Sequence, residues 1–189
     1  HIIQLGTTGV FVIYDELEGK EAVTWSYLLD TVELPMEIQE LTDEVKVIGK
    51  NKAGGVSVAH LFSSAKTEQA MVDTFFCAPT NWKNVTNAQG KALKYPNHWH
   101  FTATSEKAQV YRFATVINTH ALKYPAKDPE ILSDGRIKVG GWLISVNLKS
   151  DGAPSFFIRS TQEKVNITYK GEATVINEDG YETVMRDTV

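Results

Sequence analysis

The chain has 189 residues, enough for one domain with a substantial core. Its 42% hydrophobic and 22% charged residues are the balance of a folded globular protein and exclude disorder of the whole chain. A net charge of −4 argues against a general nucleic-acid binder, which carries a basic surface, and no apolar run approaches the ~20 residues of a membrane-spanning helix.

Cys77 is the single cysteine, so neither an intrachain disulfide nor a multi-cysteine zinc site can form. Its apolar neighbours, Phe75, Phe76 and Ala78, predict a buried, inert thiol. Apolar residues begin at Ile2, and no methionine or leader precedes them. This start predicts a module cut from a larger protein, with 1–189 as its C-terminal part.

The dominant period along the chain is two, the signature of strands. Ile2–Leu5 reads as a strand, and Gly6–Gly9 as a tight turn. Val10–Tyr14 is apolar on both faces, which predicts a central strand covered on both sides. The polar run Glu16–Glu21 contains Gly19 and reads as a turn. Val23, Trp25, Tyr27 and Leu29 then share one face. Glu37–Glu44 is a weak helix candidate; Thr67–Phe75 fits a short helix or a strand. Between them, Val45 and Val47 alternate with Lys46 and Ile48. Gly49–Gly55 reads as a turn, and Val56, Val58, His60 and Phe62 share a face.

Ala78–Asn97 is the longest stretch without a period, the kind of loop that is usually functional or mobile. Trp99, Phe101 and Ala103 follow on one face, with His98, His100, Thr102 and Thr104 opposite. Tyr111, Phe113, Thr115 and Ile117 alternate with Val110, Ala114 and Val116. A subdivision of the chain falls near 124–135, where Pro125, Pro129 and Gly135 cluster. Beyond it, Ile137 and Val139 are odd-numbered, whereas Trp142, Ile144, Val146 and Leu148 are even-numbered. A β-bulge at Gly140-Gly141 would restore one apolar face. Ser150–Pro154 is a turn, and Phe156–Arg159, Val165–Tyr169 and Thr174–Asn177 are strands. Glu178-Asp179-Gly180 has the chemistry of a hairpin turn. The pattern predicts an all-β, multi-stranded sandwich of antiparallel sheets, supersandwich-like, with little helix.

Four residues stand out as candidate substrate contacts: Trp82, Lys83, His98 and His100. The aromatic face of Trp82 can stack on a sugar ring, and Lys83, with Lys91 and Lys94, suits an acidic sugar. His98 and His100 are two apart on a strand, so both imidazoles point the same way. A metal would need a third ligand, from His60, His120 or Asp73. A half-exposed face packed with threonines is the favoured reading, and no metal or cofactor is assigned. His60 sits with Val58 and Phe62 and reads as a hydrogen-bonded core histidine; His120 reads as a loop residue. Asp15 and Glu16 could form a paired-carboxylate site, but acidic residues opening a turn is the favoured reading, and adjacent residues on a strand point to opposite faces, which disfavours cooperation. No glycine-rich phosphate loop and no Gly-x-Ser-x-Gly elbow is present.

At GVFVIYDELEGKEAVTWSYLLDT, Gly9 to Thr31, the chain resembles the β-sheet portion of heparinase II/III-like polysaccharide lyases. The matching features are Tyr14-Asp15 at a strand end, Trp25, and Leu28-Leu29. Asp30 stands where the family pattern has a histidine, so that residue's role does not carry over. The block Pro96 to Ile117 resembles a downstream pair of strands in the same family. The resemblance implies a parent with an N-terminal helical catalytic toroid, periplasmic or extracellular, that cleaves acidic polysaccharide by β-elimination. No residue here matches the family's catalytic or metal-binding motifs, so none is assigned.

The leading expectation is therefore a non-catalytic C-terminal β module of such a lyase. Its partners would be the helical catalytic domain of the same parent and an acidic polysaccharide, with neither nucleic acid nor membrane. The rival from the binding class is a carbohydrate-binding module built on Trp82 and the Ala78–Asn97 loop. The third reading is an autonomous lyase.

Overall fold

The structure, a computed structural model, describes residues 1–6, 9–32, 34–73, 86, 88–91, 98–124 and 128–186. The described residues form sixteen strands and no helix. These are β1 Ile2–Leu5, β2 Val10–Val23, β3 Ser26–Val32, β4 Glu37–Glu40, β5 Val45–Lys50, β6 Gly55–Ser63, β7 Thr67–Val72 and β8 His98–Ser105. They continue as β9 Ala108–Ala121, β10 Glu130–Ile131, β11 Ile137–Val139, β12 Trp142–Val146, β13 Ser155–Ser160, β14 Val165–Lys170, β15 Ala173–Glu178 and β16 Tyr181–Arg186. The all-β expectation holds, and every strand pairing is antiparallel.

Three sheets result. One has six strands in the order β1-β2-β9-β6-β5-β4, one is a seven-stranded meander from β10 to β16, and one has three strands in the order β3-β8-β7. Strand periodicity explains their stacking. The even residues Val10, Val12 and Tyr14 of β2, with Ala114 and Val116 of β9, share a core with Ile144, Phe156, Ile158 and Tyr169 of the meander. The odd residues Tyr111 and Phe113 of β9, with Ala59 and Leu61 of β6, share a second core with Tyr27, Phe101 and Ala103 of the three-stranded sheet. The six-stranded sheet is thus the middle layer, covered on both faces, as the doubly apolar Val10–Tyr14 pattern predicts.

A buried arginine seals one side of this middle layer. Arg112 of β9 donates to the carbonyls of Asn147 (3.4 Å), Lys149 and Gly152, and the Tyr14 hydroxyl donates to the Asn147 carbonyl at 2.9 Å. Together they close the turn between β12 and β13 onto the middle sheet. Such charge-assisted bonds to backbone contribute more than neutral ones.

Several local expectations change. Gly140-Gly141 is not a bulge but the two-residue loop of the β11–β12 hairpin, with Val139 opposite Trp142 and Ile137 opposite Ile144. Directly opposed residues of an antiparallel pair share a face, so the switch from odd to even needs no inserted residue. Gly140 takes φ 54°, the left-handed conformation a primed two-residue turn demands. The run Glu16–Glu21 is not a turn. Strand β2 continues to Val23 and absorbs the extra residues in a register shift between Glu18 and Val23. The two helix candidates yield strands, Glu37–Glu40 and Thr67–Val72. His120 lies within β9 rather than in a loop. Asp179-Gly180 forms the expected hairpin, with Glu178 opposite Tyr181.

Candidate functional site

Of the four sequence candidates, His98 and His100 are brought together; Trp82 and Lys83 lie outside the described residues, as does Cys77. Both histidines sit on β8, the central strand of the three-stranded sheet. Phe101 and Ala103 point into the core, so His98, His100, Thr102 and Thr104 take the outer face. The histidine rings are 6.4 Å apart, centroid to centroid.

Strand β3 supplies the neighbour. Its register places Asp30 opposite His100, and His100 Nδ1 meets Asp30 Oδ1 at 2.6 Å. The imidazole is buried while the carboxylate is mostly exposed. A carboxylate at Nδ1 fixes the orientation of the ring. On the same face, Leu28 lies opposite Thr102 and Val72 lies opposite His100, and both are exposed. Ser26 Oγ and Thr104 Oγ1 are within 3.2 Å. The face therefore combines an imidazole–carboxylate pair, hydroxyls and two apolar side chains. Such a face offers hydrogen-bond donors and acceptors beside apolar surface; among the described residues no three or more His, Cys, Asp or Glu converge as metal ligands.

The other histidines have different settings. His60 is a core histidine, as expected: Nδ1 meets Glu44 Oε2 at 2.8 Å, and Nε2 faces Asp128 Oδ1 at 3.9 Å. Lys46, opposite His60 across β5 and β6, reaches Asp128 Oδ2 at 2.5 Å. His120 lines a cavity of about 600 Å³ together with Thr31, Lys50, Ser57 and Thr119. Gly49 borders the same cavity, where a Cβ would stand 2.9 Å from Thr31 Cγ2.

Asp15 and Glu16 do point to opposite faces. Glu16 accepts from the Tyr169 hydroxyl on the side of the meander. Asp15 lies opposite Phe113 and acts electrostatically on Tyr27, on the side of the three-stranded sheet. Burial pushes the Asp15 carboxyl above the usual range, opposed by the amino-terminal charge. Burial also raises the hydroxyls of Tyr14, where the Arg112 charge opposes it, and of Tyr27, where a Thr115 hydrogen bond does.

Sequence reasoning missed the carboxylate partners of both buried histidines. Counting outward from the Gly49–Gly55 turn sets Lys46 opposite Val58, two residues short of the observed His60, and so does not bring Glu44 to the imidazole. Asp30 and His100 are 70 residues apart and meet only through a pairing of non-consecutive strands. Compared with protein-family models and with curated proteins, the chain matches none.

Proposed function

We propose that the chain is the non-catalytic β-sheet module of a heparinase II/III-like polysaccharide lyase. It supports a helical catalytic domain of the same parent, and the outer face bearing Asp30, His98 and His100 lines the substrate cleft. One observation carries the reading: the two blocks that bear the resemblance are built against each other. Tyr14 lies opposite Ala114, Leu28 opposite Thr102, and Leu29 opposite Phe101. Trp25 Nε1 donates to the Ala108 carbonyl at 2.9 Å, and the Trp25 amide donates to Ser105 Oγ at 2.9 Å. Asp30, the one departure from the family pattern, meets His100 of the second block. The carboxylate–imidazole pair thus occupies the position where the pattern has a histidine. Ring N–H groups and hydroxyls on that face can donate hydrogen bonds to a uronate carboxylate.

Chemistry stays with the catalytic domain, whose base removes the proton α to the uronate carboxylate; this module contributes binding and support. Expressed with the coding sequence that precedes His1, the protein should release unsaturated uronate from an acidic polysaccharide, read as rising ultraviolet absorbance. The 189-residue chain alone should release none. In the longer protein, His98→Ala should raise KM and leave kcat nearly unchanged, because a cleft wall binds ground and transition states alike. Release by the chain alone overturns the non-catalytic reading, and an upstream sequence with no helical domain overturns the module reading. Retention of acidic polysaccharide by the chain alone, abolished in Trp82→Ala, would favour the binding-module alternative.

A further inference from the structure

The seven-stranded meander ends on β16, whose residues Tyr181 to Arg186 are all exposed. Among the described residues only β15 pairs with it, so its other edge presents backbone N–H and C=O groups that no described strand pairs. Its apolar side chains are unusually open: Tyr181 is 82% exposed, Met185 51% and Val184 46%. The opposite edge of the same sheet is blunted, because β10 has two residues only. Natural sheets usually shorten or charge their edges in that way; β16 is long and mixes apolar residues with one charge of each sign.

We propose that β16 is the edge on which a second copy of this chain docks, antiparallel, about a two-fold axis through Val184. In that register Val184 lies opposite the partner's Val184, Thr183 opposite the partner's Met185, and Glu182 opposite the partner's Arg186. The last pairing occurs twice by symmetry, so each carboxylate meets a guanidinium on either side of the valine pair. Within the chain, Glu182 and Arg186 lie opposite Asn177 and Ala173, neither of which is charged. The partner copy therefore supplies the complementary charge that β15 does not.

The solvent face of the meander supports the same axis. Phe157, Thr168, Val175 and Val184 lie in one row across β13 to β16. Phe157 is 41% exposed at one end and Val184 46% at the other. A two-fold axis at Val184 runs this row directly into its copy. An isologous contact of this kind closes at two chains, whereas a β16-to-β10 contact would propagate. A six-residue edge buries less than the roughly 800 Å² per partner of a standard interface, so the dimer dissociates on dilution.

Sedimentation equilibrium tests this on the 189-residue chain. Between about 1 µM and about 1 mM, the range expected for an interface below standard size, weight-average mass should rise from monomer to dimer and stop there. Glu182→Arg and Arg186→Glu, each placing like charges opposite each other, should weaken association about tenfold or more. The double variant Glu182→Arg/Arg186→Glu should restore it. Val184→Lys, which sets two ammonium groups across the axis, should abolish it. All three positions are exposed, and unchanged circular dichroism confirms that the fold persists. A monomer throughout, assembly beyond the dimer, a dimer indifferent to the single charge reversals, or no recovery in the double variant each overturns the proposal.

Discussion

His60 and His100 are both buried, and both are held through Nδ1 by a carboxylate, at 2.8 Å and 2.6 Å. They differ in the depth of the carboxylate. The Glu44 side chain beside His60 is 9% exposed, whereas the Asp30 side chain beside His100 is 58% exposed. At His60 a second carboxylate, Asp128, stands 3.9 Å from Nε2 and is itself exposed, with Lys46 on it; the deep contact is the one with Glu44. At His100 the pair opens on a sheet face. A buried polar atom costs free energy when it loses a partner that water cannot replace. The depth of the partner therefore decides whether such a pair is a structural tie or a group available to a ligand.

The largest expected effect follows from the deep pair. Glu44→Ala leaves His60 Nδ1 without its acceptor in a dry setting, at a cost of about 1–3 kcal/mol. Urea unfolding of the variant reads this directly. Asp30→Ala should cost less than about 1 kcal/mol, because water can take the place of an exposed carboxylate. On the proposed function, its effect should appear instead as altered affinity for acidic polysaccharide, because His100 loses the group that orients it. If Asp30→Ala unfolds as readily as Glu44→Ala, the contrast between the two pairs is wrong, and the His100 pair is a structural tie as well.

The architecture was legible because burial on one face or both leaves a period-two trace. The doubly apolar Val10–Tyr14 marked the middle layer, and Asp179-Gly180 marked a hairpin that the structure contains. Local turns were less legible where two solutions share one pattern. The parity change around Gly140-Gly141 fits a bulge within one strand and equally a two-residue hairpin between two; strand direction, which decides, leaves no trace in parity. The polar run Glu16–Glu21 looked like a turn because its side chains face water, yet the backbone stays extended and takes up the excess as a register shift. The candidate site was half legible. His98 and His100 declared their common face by spacing, but Asp30 reaches them only across the β3–β8 pairing. Long-range register depends on which strands become neighbours, and local spacing does not encode it.

Asp15 extends the comparison to a carboxyl whose dominant influence is burial. Burial raises it above the usual range, and the amino-terminal charge only partly offsets this. A raised carboxyl means that the fold favours the neutral acid. Its contribution to stability is complete below the unfolded value of about 4 and is lost as pH rises through the higher folded value. Asp15→Asn keeps the shape and removes the ionisation. The variant should therefore gain stability relative to the parent chain across that window and hold a constant advantage above it. Urea unfolding at stepped pH measures the difference, in which the other carboxylates cancel. The group is only partly buried, so the gain should be the smallest of the effects argued here. A difference that does not change with pH would show that burial does not desolvate the Asp15 carboxyl. The depth of a carboxylate would then fail to predict its behaviour at the one position where no imidazole complicates the test.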